Sequence, residues 1–502
     1  MKIFSAKLTR EADDYTIKNE PISSLNLMER AASRATDKIL KLYFNVFNFA
    51  VFVGPGNNGG DGLVIARLLA EKGFNVDVYF VKFTDKVSED FAVNLERLKK
   101  QNKARFFILE NINDFSDIKE NVLIIDALFG SGLSRPLSGF AGQTVEKINA
   151  LPNDVVSVDI PSGLFGENNP PDNKIIIKAN HTLTFQYPSL SFMFSENNEF
   201  VGEFHIIDIG IHGNFIQKTD TPYYYVQKED IKIKHRKKFS HKGNYGHALL
   251  IAGSYGKAGA QILSARAAHR AGVGLLTAAV PECNYQILQT ASPETMLHIS
   301  KTEKYISDLP DLSKFNAIAV GPGTGFDKET KKMLSYILDV YEKPVVFDAD
   351  ALTVLSENKS ALENIPAGSI LTPHPKEFER LAGKCVSGYE RMTKQSEFAR
   401  KYNVYVILKG AHTSVASPDG KIFFNSTGNP GMATGGSGDV LTGIVVSLLS
   451  QGYTSLEASV SAVFIHGLAG DFAAEQKGQY PLIASDIIDN LPDALKSLEP
   501  FT

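Results

Sequence analysis

Short apolar runs alternate with amphipathic stretches along almost the whole chain. Leu25, Leu27, Met28, Ala31, Ala32 and Ala35 recur at helical spacing, so residues from about Thr9 to Leu42 are predicted to form two helices. Phe49-Ala-Val-Phe-Val53 is a buried strand that runs into Gly54-Pro-Gly-Asn-Asn-Gly-Gly-Asp-Gly62. A helix is expected from Leu63 to Lys72, a strand from Asn75 to Val81, and an amphipathic helix ending near Gln101. Arg105 to Leu109, Val122 to Ile125 and Val155 to Val158 read as further strands. Near Gly210 the pattern fades, and it resumes with the apolar Gly246-His-Ala-Leu-Leu-Ile-Ala-Gly253. A small-residue helix (Ala260 to Ala271) follows, then strands at Leu275 to Val280 and Ala317 to Val320, and the stretches Val345 to Asp350, Ser369 to Glu377 and Tyr405 to Thr413 each read as a buried strand that ends in polar residues. Strands alternating with helices imply mainly parallel sheets covered on both faces, with ligands at the carboxyl ends of the strands.

A chain of 502 residues exceeds what one core supports, so two or three domains are expected. With 43% hydrophobic and 22% charged residues it is an ordinary globular composition, and the net charge of −4 favours neither nucleic acid nor an anionic membrane. The basic run Lys232-Ile-Lys-Ile-Lys-His-Arg-Lys-Lys238 is read as a solvated linker or a rim that attracts anionic substrates. Cys283 and Cys385 form no CxxC pair, which points to a reducing compartment and away from a structural zinc site. The charged N-terminus is not a signal peptide and no apolar run spans a bilayer, so a cytoplasmic location without membrane partners is expected.

The candidate chemistry sits in the loops. Asn429-Pro-Gly-Met-Ala-Thr-Gly-Gly-Ser-Gly-Asp439 precedes an apolar helical run, so its glycines can turn backbone N–H groups toward one anion at a helix N-terminus. Asp439 would repel a phosphate there unless it serves as general base toward a substrate hydroxyl; the other reading is an Asp N-cap on a glycine turn. In the first half, Gly54, Gly56 and Gly59 match GxGxxG, but Asp61 stands where a pyrophosphate would lie and no ribose-binding acid follows Val81. Asn58, Asp126 and Ser162 are oxygen-bearing residues at strand ends, compatible with a hard cation or with turn formation and capping. Gly253-Ser-Tyr-Gly-Lys-Ala-Gly259 is not a Walker A loop, since Lys257 lacks the required glycine and Ser/Thr.

Asn57-Asn-Gly-Gly-Asp-Gly62, Asp126-Ala-Leu-Phe-Gly130 and Asp159-Ile-Pro-Ser-Gly163 together resemble the NAD(P)HX epimerase domain. Ser240-His-Lys-Gly-Asn-Tyr-Gly-His247, Gly321-Pro-Gly323, Thr372-Pro-His-Pro-Lys-Glu377, Leu408-Lys-Gly-Ala-His-Thr413 and Gly435-Gly-Ser-Gly-Asp439 resemble the ADP-dependent NAD(P)HX dehydratase. The resemblance covers nearly the whole chain, in the fused order of the bacterial bifunctional repair enzyme. It implies a Rossmann-like epimerase domain over residues 1–215 and a ribokinase-like dehydratase domain over residues 225–502, both three-layer αβα. The implied activity is epimerisation of R and S NAD(P)HX, the hydrated forms of NADH and NADPH, and nucleotide-dependent dehydration of the S form to NAD(P)H with release of AMP and phosphate.

Carried over by position, Asn57, Asn58, Gly59, Gly60, Asp61, Gly130, Ser131, Gly132, Leu133, Ser134, Arg135, Pro136 and Asp159 would contact the hydrate in the first domain. Asn58, Asp126 and Ser162 would hold potassium. In the second, Gly323, His374 and Asp439 would contact the hydrate, while Lys409, Gly410, Ala411, His412, Thr413 and Gly438 would contact ADP, accompanied by Mg2+. Asp159, with Asp61 as the second choice, is the expected acid/base for epimerisation. Asp439 is the expected base for dehydration, deprotonating a hydroxyl that becomes a better leaving group once phosphorylated. His374 is read either as orienting the nicotinamide ring or as a structural loop histidine. Asp348 and Asp350 either help hold Mg2+ through water or cap the next helix. A homo-oligomer acting on small molecules is expected. The rival reading is a small-molecule kinase of the ribokinase superfamily, which would release a phosphorylated compound and has no use for the first domain.

Overall fold

The structure, a computed structural model, describes residues 1–115 and 117–499. They divide into two compact units: Met1–Tyr223 with Ser387–Tyr389, and Tyr224–Val386 with the described residues from Glu390 onward.

In the first unit seven strands form one sheet: β1 (Asn48–Val53), β2 (Asn75–Val81), β3 (Arg105–Leu109), β4 (Leu123–Ala127), β5 (Val155–Val158), β6 (His181–Phe185) and β7 (Glu203–Ile207). Their order is β3-β2-β1-β4-β5-β6-β7, and every neighbouring pair is parallel. Alternate residues of β1 feed opposite faces. Val51 and Val53 join one core with Ala35, Ile39 and Leu63, while Ala50 and Phe52 join a second core with Val145 and Ile148. Helices therefore cover both faces, giving the expected three-layer Rossmann-like fold. The order reverses between β1 and β4, where loops diverge and leave a crevice.

The helix expected from Leu63 starts at Asn57, inside the glycine motif. Glycine is a poor helix former, so propensity alone places the start too late. Packing overrides it, because a Cβ on Gly59 would lie 1.8 Å from the Gly54 carbonyl oxygen and one on Gly60 would lie 2.8 Å from the Met28 sulfur. Strands β6 and β7 were not anticipated, since Thr182, Thr184 and His205 break their apolar runs.

The second unit holds a ten-stranded sheet: β8 (Tyr223–Tyr225), β9 (His247–Ile251), β10 (Leu275–Val280), β11 (Met296–Ile299), β12 (Ala317–Val320), β13 (Val345–Phe347), β14 (Ile370–Leu371), β15 (Tyr405–Leu408), β16 (Ser414–Ala416) and β17 (Ile422–Phe424). The order is β11-β10-β9-β12-β13-β14-β15-β16-β17-β8, parallel from β11 to β15 and antiparallel through β15, β16 and β17. Its reversal lies between β9 and β12. The helices Ala258–Arg270 and Ser437–Ser450 cross closely enough that a Cβ on Gly443 would sit 2.2 Å from the Ser264 carbonyl oxygen.

The basic run at 232–238 is not a free linker. Ile231 is buried and Ile233 packs partly against the same core. Lys234 donates to the Gly452 carbonyl at 2.6 Å and lies 4.3 Å from the Tyr453 ring centre, and Arg236 stacks 4.0 Å over Tyr245. Aliphatic residues two apart pin the segment to the core while Lys234 and Arg236 lie along the surface beside it.

Candidate active sites

At the crevice of the first unit a cavity of about 480 Å³ opens over the ends of β1, β4 and β5. Of the expected residues, Asn57, Asn58, Asp61, Gly130, Ser131, Gly132, Leu133 and Asp159 line it. Gly59 and Gly60 are buried behind the wall, where they permit the close approach of helix and strand loops. Ser134, Arg135 and Pro136 are exposed and outside the lining.

Asp159 follows β5 directly with φ of +69°, a conformation costly for a residue with a side chain. Its backbone N–H is fixed to the Leu183 carbonyl at 2.8 Å, which aims the carboxylate at the loop after β4, where Ser131 N–H donates to Oδ2 at 2.9 Å. A side chain on Gly130 would place its Cβ 3.0 Å from Asp159 Oδ2. Glycine at this position thus leaves the carboxylate open to the cavity.

Three carboxyl groups share the space. Burial raises Asp159, with the Ser131 contacts opposing. Burial first, and then the charges of Asp159, Asp13 and Asp90, push Asp61 well above the ordinary carboxylate range. Asp13 is raised to about 7 by burial and then by Asp159 and Asp14. Like charges in a poorly solvated cleft cannot all ionise, so the set retains a proton near neutrality. Asp13 was missed from the sequence. It lies mid-helix within Ala6–Asn19, and Asp13-Asp14 reads as ordinary solvated helix surface.

Behind the wall, Asp126 is fully buried and accepts from Ser162 Oγ (2.6 Å), Ser162 N–H (2.9 Å) and Ser157 Oγ (2.8 Å). Burial raises its pKa while these donors lower it, and no cationic side chain contributes. Asn58 is only 8% exposed, and neither end of its amide has a hydrogen-bond partner. A buried carboxylate whose charge no cationic side chain offsets, the Ser162 hydroxyl bonded to it and, separately, the unpaired Asn58 amide offer oxygen atoms of the kind a hard cation takes.

In the second unit a cavity of about 580 Å³ is lined by His374, Lys409, Gly410, Ala411, Thr413, Asn429, Ser437, Gly438 and His466, among others. His412 is not part of it. Its ring meets the Asn425 carbonyl at 3.1 Å and packs edge-on against Tyr225. Asp439 and Gly323 are likewise outside this lining. Asp439 occupies the first turn of Ser437–Ser450, after Gly436 in the left-handed conformation (φ +91°). N–H groups in such a turn have no intrahelical acceptors and face an incoming anion. Burial and then Asp348 raise Asp439 to about 7, with Lys409 opposing and Asp350 adding.

The neighbouring acids are tied down. Asp348 accepts from Lys409 Nζ at 3.1 Å and Thr442 Oγ1 at 2.7 Å, and makes no capping bond to its helix. Asp350 accepts from Lys257 Nζ at 3.0 Å and Gly325 N–H at 2.8 Å. The capping reading of both acids therefore gives way to a polar network under the glycine loop. Asp439 differs: among the described residues no hydrogen bond or ion pair engages its carboxylate. Gly323, at φ +67°, packs against Lys257 and offers its carbonyl to Ser254 Oγ at 2.7 Å. His374 caps Pro375–Ala382 through Nδ1, which accepts from Lys376 and Glu377 N–H, so its other nitrogen carries any proton it presents. His466 was not anticipated. It contacts Ser437 Oγ at 3.3 Å, and burial lowers it to about 4.

Residues 248–493 match the family model described as NAD(P)H-hydrate dehydratase, and residues 24–191 match the YjeF-related protein N-terminus. The bifunctional NAD(P)H-hydrate repair enzyme Nnr of Thermofilum pendens is 36% identical, covering 98% of this chain and 95% of that protein. The enzyme of the same name from Moorella thermoacetica is 35% identical over 95% of this chain and 93% of its own length. The solved ADP/ATP-dependent NAD(P)H-hydrate dehydratase of Bacillus subtilis, co-crystallised with ATP and Mg2+, is 30% identical, covers 55% of this chain and 99% of its own, and superposes with a TM-score of 0.48.

Proposed function

The chain belongs to the bifunctional NAD(P)H-hydrate repair enzymes, and from that premise we propose which residues perform its two reactions. It is an isomerase and a lyase: it interconverts R and S NAD(P)HX and dehydrates the S form, and its second unit has the ribokinase-like fold. Residues 1–215 act as the epimerase domain and residues 225–502 as the dehydratase domain.

In the first reaction the hydrate's hydroxyl leaves a ring carbon next to nitrogen, whose lone pair stabilises the resulting iminium. A protonated carboxyl of the Asp13–Asp61–Asp159 set gives its proton to the departing oxygen. Asp159 then accepts the proton of a water adding from the opposite face, which inverts the centre. Asn57, Asn58 and Gly130 to Leu133 position the ring, and Ser134, Arg135 and Pro136 extend the contact toward the rest of the dinucleotide. Asn58, Asp126 and Ser162 hold potassium, whose charge offsets the buried Asp126.

In the second reaction Asp439 takes the proton of the S hydroxyl as it attacks the terminal phosphoryl group of ADP. Departure of phosphate, assisted by the ring nitrogen, and loss of a proton from the adjacent ring carbon to the departing phosphate then restore the nicotinamide double bond, leaving AMP and phosphate. The carrying observation is the unengaged Asp439 carboxylate, raised to about 7, in the first turn of a glycine-led helix. Lys409, Gly410, Ala411, Thr413 and Gly438 bind the nucleotide, and Gly323 and His374 the hydrate. When bound, Mg2+ would neutralise phosphate charge, with Asp348 and Asp350 holding it through water. The location is cytoplasmic and the assembly a homo-oligomer.

The test is recovery of the reduced-nicotinamide absorbance from an R/S mixture of hydrated NADH with ADP and Mg2+. Full recovery with stoichiometric phosphate supports both assignments. Recovery in Asp439→Asn at the wild-type rate would overturn the role given to that residue.

A further inference from the structure

The proposed chemistry leaves one cluster of ligating side chains unused, at the opposite end of the first sheet. His181 opens β6 and Glu203 opens β7, and the parallel register pairs them directly. His205, two residues along β7, shares their face. The His181 Nδ1 and His205 Nε2 atoms are 3.0 Å apart, and each lies 3.8 Å from a Glu203 carboxylate oxygen. The active-site cavity lies beyond the carboxyl ends of the strands, whereas these residues gather toward the amino ends of β6 and β7.

Zinc binds imidazole nitrogen at about 2.0–2.1 Å and carboxylate oxygen at about 2.0–2.2 Å, so tetrahedral ligand atoms stand about 3.3–3.5 Å apart. The observed separations of 3.0 and 3.8 Å bracket that value, so closing the set requires the exposed Glu203 carboxylate to swing inward and the two imidazole nitrogens to part by a few tenths of an ångström. Both imidazoles are held in place. The His181 ring stands edge-on to Tyr43 at 5.7 Å, and the His205 side chain is only 12% exposed.

From this geometry we propose that His181, Glu203 and His205 form a binding site for a divalent transition metal, zinc being the best match, with its fourth position open to water. Without metal, the two histidines share one hydrogen bond, so one inner nitrogen carries a proton. On binding, that proton moves to the outer nitrogen of the same ring, and both inner lone pairs reach the ion without any change in net charge on the imidazoles. The Lys38 ammonium lies near enough to His205 to act on it electrostatically. Glu203 supplies the charge that offsets Lys38. The ion would clamp β7, the last strand of this sheet, to β6.

Isothermal titration of the chelator-treated full chain with Zn2+ tests the proposal, using His205→Gln and Glu203→Gln beside the wild type. The expected result is one more bound zinc per chain in the wild type than in His205→Gln, at least ten-fold weaker binding at that site in Glu203→Gln, and a zinc-dependent rise in Tm that His205→Gln lacks. Glu203 is exposed, so its variant keeps the test valid if His205→Gln fails to fold. Equal stoichiometry and affinity in wild type and Glu203→Gln would overturn the site. So would zinc binding seen only at millimolar concentration.

Discussion

At the residue scale the two sites rest on carboxyl groups kept from comfortable ionisation. Asp439 must be ionised to act as base, so with a pKa of about 7 the dehydration rate is expected to rise from pH 6 to 8 and then level off. Asp439→Asn should lower that rate by about 10³-fold while epimerisation continues. Its stability effect has the opposite sign. A carboxyl raised in the folded state binds its proton more tightly there than in the unfolded chain, so stability falls as pH climbs from about 4 toward 7. Asp439→Asn should therefore stabilise the protein at pH 8, by about 1–3 kcal/mol, measurable by denaturant unfolding with native protein compared at pH 5. In the other site, Asp13→Asn removes a charge that raises Asp61. The pH profile of epimerisation should shift to lower pH; an unmoved profile would exclude Asp13 from the shared set.

At the element scale, function depends on how helix starts are seated on strand ends. The helix Asn57–Glu71 starts early because Gly59 lets it touch the Gly54 carbonyl. Gly59→Ala should cost about 3 kcal/mol and abolish epimerisation by displacing Asn57, Asn58 and Asp61 together. In the second unit Thr442 donates to Asp348 from within Ser437–Ser450, holding that helix against the loop after β13. Thr442→Val leaves a buried acceptor short of a partner, which costs about 1–3 kcal/mol. Dehydration kcat should fall more than nucleotide affinity, as steady-state kinetics would show.

At the scale of the whole molecule, each unit has its own sheet and its own core. The two activities should therefore separate. A 225–502 fragment is expected to dehydrate the S hydrate and leave the R form untouched, and Gly59→Ala should lower a calorimetric transition of the full chain without impairing dehydration. Loss of both activities in Gly59→Ala, with Ser437–Ser450 still protected from hydrogen exchange, would contradict that independence. Among the described residues no helix is long and apolar enough to cross a membrane.

The sequence by itself determined the fold class, because alternating buried strands and amphipathic helices leave few arrangements other than parallel sheets covered on both faces. It also placed the glycine loops and Asp159 at strand ends, where open parallel sheets bind ligands, while the roles given to Asp159 and Asp439 came with the family resemblance. Tertiary structure alone decided the rest. Asp13 is an ordinary helix-surface acid until folding sets it beside Asp61 and Asp159, and His466 an ordinary helix histidine until Ser437 covers it. Asp348 and Asp350 look like helix caps until Lys409, Thr442 and Lys257 arrive from distant segments. The His181–Glu203–His205 cluster exists only through the register of two strands that sequence periodicity did not reveal. Local pattern is set by neighbours along the chain, but pKa values and ligand sets are set by neighbours in space, which a one-dimensional pattern does not encode.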